Sequence, residues 1–274
     1  MTDAVRSFDI VQQTPHGGDA RTEAVAHEEP LEIQVNGVAV AVVMRTPGHD
    51  EDLVRGFLLT EQIVRSARDI VSLRHCTTAP DVDADGNVMQ ARLRDGVRFD
   101  QERLRRHSFA SSSCGVCGKA TIANACALAP PLEDDARIDA AVLSAAPAKL
   151  LAEQVAFAMT GGLHAAALLT LAGSLVVVRE DVGRHNAVDK VLGQLADRQL
   201  APEEHALFVS GRISFELVQK AAAVRVPILA GISAPTSLAI TMGRAVRVTV
   251  VGFVRGASMN VYAAPERILG TPPG

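Results

Sequence analysis

With 274 residues, 48% of them hydrophobic and 21% charged, the chain can bury a sizeable core in one large α/β domain or two modest ones, and disorder over most of its length is excluded. A formal net charge of −4, 3% aromatic residues, no Trp and a single Tyr leave neither the basic footprint nor the stacking platforms of a bulk nucleic-acid binder. No apolar run approaches the roughly 18 residues needed to span a bilayer, and the N-terminus lacks a signal-peptide pattern, so the expected compartment is the cytoplasm, without a membrane partner.

Residues 1–27 mix Gln12, Gln13, Pro15, Gly17, Gly18 and Asp19 without apolar periodicity, which predicts a flexible tail. Residues 28–108 then predict a smaller α+β lobe. Leu31, Ile33 and Val35 alternate up to Asn36-Gly37, and Val38, Val40 and Val42 alternate after it, the pattern of a β-hairpin. The acidic stretch Asp50-Glu51-Asp52 leads into a helix with Leu53, Val54, Phe57 and Leu58 on one side. A second pair of short strands is expected around Asp85-Gly86, and a short helix over Gln101–His107.

From residue 109 to 274 the pattern predicts a main α/β domain. Ser111-Ser112-Ser113 precedes Cys114-Gly115-Val116-Cys117-Gly118-Lys119 and an alanine-rich segment, read as an exposed loop running into a helix that Pro130 and Pro131 end. A longer helix is expected from Pro147 to Thr160, stopping at Gly161-Gly162. Strands are expected at Ala165–Leu171 and Leu175–Arg179, joined through Gly173-Ser174, and at Leu207–Ser210, Ile228–Ser233 and Val246–Val251, with helices between the last three. The sum is a mixed sheet covered by helices.

The four cysteines are Cys76, Cys114, Cys117 and Cys126, too few for a secreted disulfide scaffold. A structural zinc site needs four ligands, and no second close pair exists beside Cys114 and Cys117, so no metal site is expected. A thiolate nucleophile fits better: a following helix N-terminus, Lys119 and the backbone donors of Gly115 and Gly118 all favour the anion. Cys76 and Cys126 read as small buried hydrophobes.

Two strand-to-helix junctions, Val209-Ser210-Gly211-Arg212-Ile213-Ser214 and Ile232-Ser233-Ala234-Pro235-Thr236-Ser237, offer hydroxyls and free helix N–H groups beyond a strand end, where open α/β sheets bind anionic ligands. Helix capping explains either junction alone. Together, with Arg212 and the turn at Gly252–Gly256, they suggest a phosphate-bearing ligand held by Arg212, Ser233, Thr236 and Arg255, although neither is a Walker loop or a dinucleotide fingerprint. The block from Glu180 to Lys190, EDVGRHNAVDK, reads either as an Asp-capped solvated helix pairing His185 with Asp189 or as part of a site, and His164 as a structural histidine.

In order, Thr46-Pro47-Gly48, Gly56-Phe57-Leu58-Leu59, Ser113-Cys114-Gly115-Val116-Cys117-Gly118, Thr160-Gly161-Gly162-Leu163-His164-Ala165-Ala166, the Glu180–Lys190 block, Gly211–Lys220, Ser233–Ser237 and Gly252–Gly256 resemble the FdhD family of formate dehydrogenase accessory sulfurtransferases. The resemblance covers most of the chain after residue 27. It implies that a cysteine desulfurase loads a persulfide on Cys114, with Cys117 resolving it or shaping the loop. The sulfur then passes to the molybdenum bis(molybdopterin guanine dinucleotide) cofactor, bound through Phe253, Val254, Arg255, Gly256, Ala257 and Ser258, before that cofactor enters the formate dehydrogenase catalytic subunit. A free guanine nucleotide would mimic part of it. A homodimer and a cytidine-deaminase-like core are also implied. Two rivals are weighed. A zinc deaminase needs His-x-Glu followed by Pro-Cys-x-x-Cys, whereas His164 precedes Ala165-Ala166 and the cysteine pair lies upstream. A cofactor-binding chaperone would keep the phosphate junctions and need neither thiol.

Overall fold

The computed structural model describes residues 3–76, 86–97 and 129–270. The expected helix over Gln101–His107, the loop carrying Cys114 and Cys117, and Cys126 lie outside them.

The N-terminal segment is not the expected tail. It folds into an antiparallel ribbon of β1 (Val5–Thr14) and β2 (Gly17–Ala26), paired from Val5↔Ala26 to Thr14↔Gly17. Its base is anchored where Val5, Ala24 and Ala26 meet Ala156, Phe157 and Leu163. Most of the ribbon is exposed on both faces, so neither face required the apolar alternation by which strands are recognised in sequence.

A four-stranded sheet follows, ordered β4-β3-β6-β5, from β3 (Glu29–Val35), β4 (Val38–Arg45), β5 (Ile70–His75) and β6 (Val88–Leu93). The hairpin across Asn36-Gly37 stands as expected, and so does the second strand pair. Helix α1 (Asp50–Thr60) lays Leu53, Val54, Leu58 and Leu59 against Leu31, Ile33 and Val35. β7 (Ile138–Asp139) then leads into α2 (Ala140–Glu153) and α3 (Val155–Thr160). The single helix expected from Pro147 is thus two helices. The first starts earlier, where the Asp139 carboxylate accepts from the Ala141 N–H at 2.8 Å, and holds Pro147 in its interior. The chain breaks at Gln154 and stops at Gly161, whose φ of 66° is the left-handed ending expected of glycine.

The main sheet is ordered β13-β12-β11-β10-β8-β9. Its strands are β8 (His164–Thr170), β9 (Leu175–Asp181), β10 (His205–Val209), β11 (Ile228–Gly231), β12 (Thr249–Arg255) and β13 (Ser258–Ala263). β10, β11 and β12 are parallel, and the other neighbours are antiparallel. A last short strand, β14 (Ile268–Leu269), pairs with β7. Helices α4 (Arg184–Asp197), α5 (Phe215–Ala223) and α6 (Ser237–Val246) cover one face through Ala166, Leu168, Leu207, Val209, Leu229 and Val250. Ala165, Ala167, Ala206, Phe208 and Ala230 face α2 on the other. Both faces are buried, which is why these strands read as unbroken apolar runs.

The smaller sheet is bound to the main one through α1 and α4. The Lys220 ammonium is buried against Asp189 (2.8 Å) and Glu61 (3.1 Å) and donates to Thr60 Oγ1 at 2.9 Å. Attraction by these carboxylates raises its pKa although burial opposes charge. Arg179 donates to Asp52 at 2.8 Å.

Candidate functional site

The parallel strands β10, β11 and β12 all deliver their carboxyl ends to one edge, and the two serine-bearing junctions meet there. The Ile213 N–H donates to the Ala234 carbonyl at 3.1 Å, the Thr236 N–H to the Ile213 carbonyl at 2.9 Å, and the Phe253 N–H to the Ser233 carbonyl at 3.2 Å. A Cβ on Gly252 would fall 2.7 Å from Pro235 Cδ and 3.0 Å from the Ser233 carbonyl oxygen, so β12 passes the second junction at a distance only glycine permits. The Thr236 hydroxyl is committed: it caps α6 by accepting from the Ala239 N–H at 3.3 Å. Ser214 makes no such cap for α5.

Beyond Gly252 the pairing of β12 with β13 slips, and Phe253 sits at φ 53°, a left-handed conformation uncommon for a bulky residue and often held at ligand sites. The Arg255 guanidinium lies over the Phe253 ring at 5.5 Å from its centroid. Arg255, Gly256, Ala257 and Ser258 are exposed, and Ser258 donates to the Arg255 carbonyl at 3.3 Å. Val254 is different: its side chain is packed in the core. Arg212 is exposed at the neighbouring junction. Of the residues expected from sequence, Arg212, Ser233, Thr236 and the Phe253–Ser258 turn therefore belong to elements that meet at one edge. Cys114 and Cys117 lie outside the described residues.

The Glu180–Lys190 block divides by role. Asp181 is wholly buried; one oxygen accepts from the Gly183 N–H (2.8 Å) and Asn186 (2.9 Å), while the other meets Lys190 at 2.7 Å. Asp189 is buried with Lys220, so the solvated helix pairing His185 with Asp189 is not formed. Glu180 caps α3, accepting from the N–H groups of Ala156 (2.9 Å) and Phe157 (2.7 Å). His185 turns toward the first turn of α5, 3.4 Å from Ser214 Oγ and 3.9 Å from a Glu216 carboxylate oxygen. The Glu216 carboxyl is lowered to about 2, first by its hydrogen bond from His185 and then, against burial, by the Ser214 hydroxyl.

His164 opens β8 beside Gly211, where an added Cβ would sit 3.2 Å from its Nδ1. Burial, and after it the charges of Arg184 and His185, hold its pKa below the usual histidine value. It lines a cavity of about 650 Å³ shared with Gln154, Phe157, Ser210 and Ile232. Sequence reasoning missed Gln154 and Glu216. Glu216 lies within the Gly211–Lys220 stretch, which could have marked it, whereas Gln154 lies in no motif and its helix break carries no proline or glycine to signal it.

Among the described residues no group of three His, Cys, Asp or Glu side chains is placed to hold a metal ion, and no helix is long and apolar enough to cross a membrane.

The mixed sheet, covered by helices and with Arg255 stacked on Phe253 at its parallel strand ends, makes this an α/β protein. Sequence comparison specifies it further: residues 26–269 match the model of the FdhD/NarQ family, and the chain belongs to that family. It is 46% identical over 253 residues to the sulfur carrier protein FdhD of Mycolicibacterium paratuberculosis, covering 91% of this chain and 93% of that one. Identity to the sulfur carrier protein FdhD of Nocardia farcinica is 44% over 269 residues, covering 97% and 95%. A crystal structure from Desulfotalea psychrophila, described as a formate dehydrogenase accessory protein, superposes with a TM-score of 0.77 at 26% identity over 97% of this chain and all of that one.

Proposed function

We propose that this protein is a sulfurtransferase that accepts persulfide sulfur from a cysteine desulfurase on Cys114 and passes it to a bis(molybdopterin guanine dinucleotide) molybdenum cofactor, its substrate, destined for formate dehydrogenase. The observation that carries this reading is the shelf at the carboxyl ends of β10 to β12. There the left-handed Phe253, bonded to the Ser233 carbonyl, lies under the Arg255 guanidinium, and Arg212 is exposed on the adjoining junction; cationic and aromatic groups of this kind suit a nucleotide phosphate. The names of the relatives, sulfur carriers and a formate dehydrogenase accessory protein, support the transfer chemistry. The strand order β9-β8-β10-β11-β12 supports reading the core as cytidine-deaminase-like, while the absence of a Glu two residues after His164 removes the proton shuttle that deamination needs. The reading includes a cytoplasmic homodimer.

A persulfide carrier must present a thiolate to the donor and later expose its terminal sulfur. Cys114, on the serine-rich side of the motif, takes that role, and Cys117 resolves the persulfide or shapes the loop. The test is to incubate wild type, Cys114→Ala and Cys117→Ala with a cysteine desulfurase and cysteine, then to measure both the added mass and the rescue of formate dehydrogenase activity in cells lacking the protein. Cys114→Ala should lose both. Full loading and rescue by Cys114→Ala would overturn the assignment, and rescue by the double variant would establish a cofactor-binding chaperone instead.

A further inference from the structure

The ribbon of β1 and β2 is a sheet with two open edges. Among the described residues each of its strands pairs only with the other. A two-stranded ribbon is marginal by itself in water, and a long open strand edge is a template for another strand. The ribbon also exposes large apolar side chains, Phe8 at 56% and Val25 at 39%. Both stand on the face that carries Arg21 and Glu23, since Phe8 is the cross-strand partner of Glu23 and Val25 follows it by two positions. All but the last residue of the ribbon precedes residues 26–269, so the family match assigns it no role.

Charge order on β2 selects what pairs with it. Asp19, Arg21 and Glu23 alternate in sign at every second position, so all three share one face. Arg21 and Glu23 are paired with each other and half exposed, and Arg21 also donates to Gln12 Oε1 at 2.7 Å. When a strand pairs antiparallel with its own copy about a two-fold axis, residues directly opposite each other share a face. Centring on Thr22 sets Arg21 opposite the copy's Glu23, Glu23 opposite its Arg21 and Thr22 opposite itself, and pairs the strand from Gly18 to Ala26. Centring on Arg21 would instead oppose Arg21 to itself and Asp19 to Glu23. Centring on Ala20 matches Asp19 with Arg21, but the overlap then stops at Glu23 because β2 begins at Gly17. The edge of β1 has no such match: Arg6 and Asp9 lie on opposite faces, so no two-fold register brings them together. We propose that β2 is the contact by which two copies of this chain associate, their ribbons joining edge to edge about Thr22 into one continuous antiparallel sheet. The proposal rests on the homodimer of the reading above and names its contact.

The experiment measures self-association of the full-length protein by analytical ultracentrifugation. Arg21→Glu opposes acid to acid across the axis, and Glu23→Arg opposes base to base. Each variant alone should raise the dimer dissociation constant about tenfold. Mixed in equal amounts, the two should associate with each other about as tightly as wild type, because each then meets the opposite sign across the axis. Each ribbon still carries like charges along its own strand in that mixture, so recovery there separates a contact between copies from a change in ribbon stability. On oxidation Thr22→Cys should cross-link to its own copy, since directly opposite Cα atoms lie about 4.5–5.5 Å apart, and Ala20→Cys should cross-link no more than wild type. A monomeric wild type, undiminished dimers in both charge variants, a mixture that does not associate, or cross-linking at position 20 in place of 22 would overturn the proposal. Sulfur loading of Cys114, read by mass on the same samples, tests the sulfurtransferase reading separately, so failure of the contact and failure of that reading are distinguished.

Discussion

Gly56 of α1 and Gly193 of α4 meet backbone to backbone. A Cβ on Gly193 would lie 2.9 Å from the Gly56 nitrogen and 1.9 Å from the Asp52 carbonyl oxygen, and one on Gly56 would lie 1.9 Å from the Asp189 carbonyl oxygen. This contact joins the smaller sheet's helix to the helix that begins at Arg184 on the site edge. The neighbouring Lys220, Asp189 and Thr60 bonds depend on the same close approach.

Gly56→Ala or Gly193→Ala must force the two helices apart. Each is expected to cost about 3 kcal/mol, the upper part of the overpacking range. The double variant should cost less than the sum, because one displacement admits both methyl groups. Urea denaturation of the three variants measures these values, and unchanged midpoints would contradict the backbone-to-backbone contact.

Acid sensitivity follows from Glu216. Its carboxyl drops from an ordinary 4.5 to about 2, chiefly through His185, so the folded state favours the ionised form. The resulting stability is fully present above pH 4.5 and is lost as pH falls toward 2. Glu216→Gln should therefore unfold more easily than wild type near neutrality, and the two should converge between pH 4.5 and about 2. The partial exposure of the pair keeps the effect modest. Thermal melts across that interval decide it; a gap that widens in acid would contradict the His185 contact.

Guanine nucleotide binding separates Phe253 from Arg255. GDP should bind wild type as a partial mimic of the cofactor, and Arg255→Ala should weaken it about tenfold through loss of a charge-assisted contact. Phe253→Gly relieves a left-handed backbone but removes the ring beneath Arg255, so unfolding free energy should stay within about 1 kcal/mol of wild type while GDP affinity falls. Calorimetry and denaturation of the same samples give both readings. Equal GDP affinity in all three proteins would remove the shelf from the nucleotide site.

Zinc should be substoichiometric in purified protein, because only one close cysteine pair exists and the deaminase glutamate is missing. Elemental analysis measures it directly. One zinc per chain, lost on mutation of His164 or Cys117, would restore the deaminase-like reading.

Local pattern alone determined the Asn36-Gly37 hairpin, α1, the α3 stop at Gly161 and the positions of β8 to β11, since these depend on alternation, capping and turn chemistry within a few residues. The junctions at Ser210–Ser214 and Ser233–Thr236 were legible as candidate ligand sites because hydroxyls and glycine at strand ends are visible in one dimension. The β1–β2 ribbon was hidden, since a ribbon exposed on both faces carries no alternating pattern. The split helix was hidden because the break at Gln154 has no proline or glycine. Only tertiary structure sorted the Glu180–Lys190 block, burying Asp181, Asp189 and Lys190 as counter-charged anchors and turning His185 toward Glu216. It also decided that Thr236 caps its own helix while Phe253, 17 positions further on, is bonded to Ser233 and held left-handed. Such choices depend on which distant carboxylate, carbonyl or helix arrives alongside, and sequence spacing carries no record of distances closed by folding.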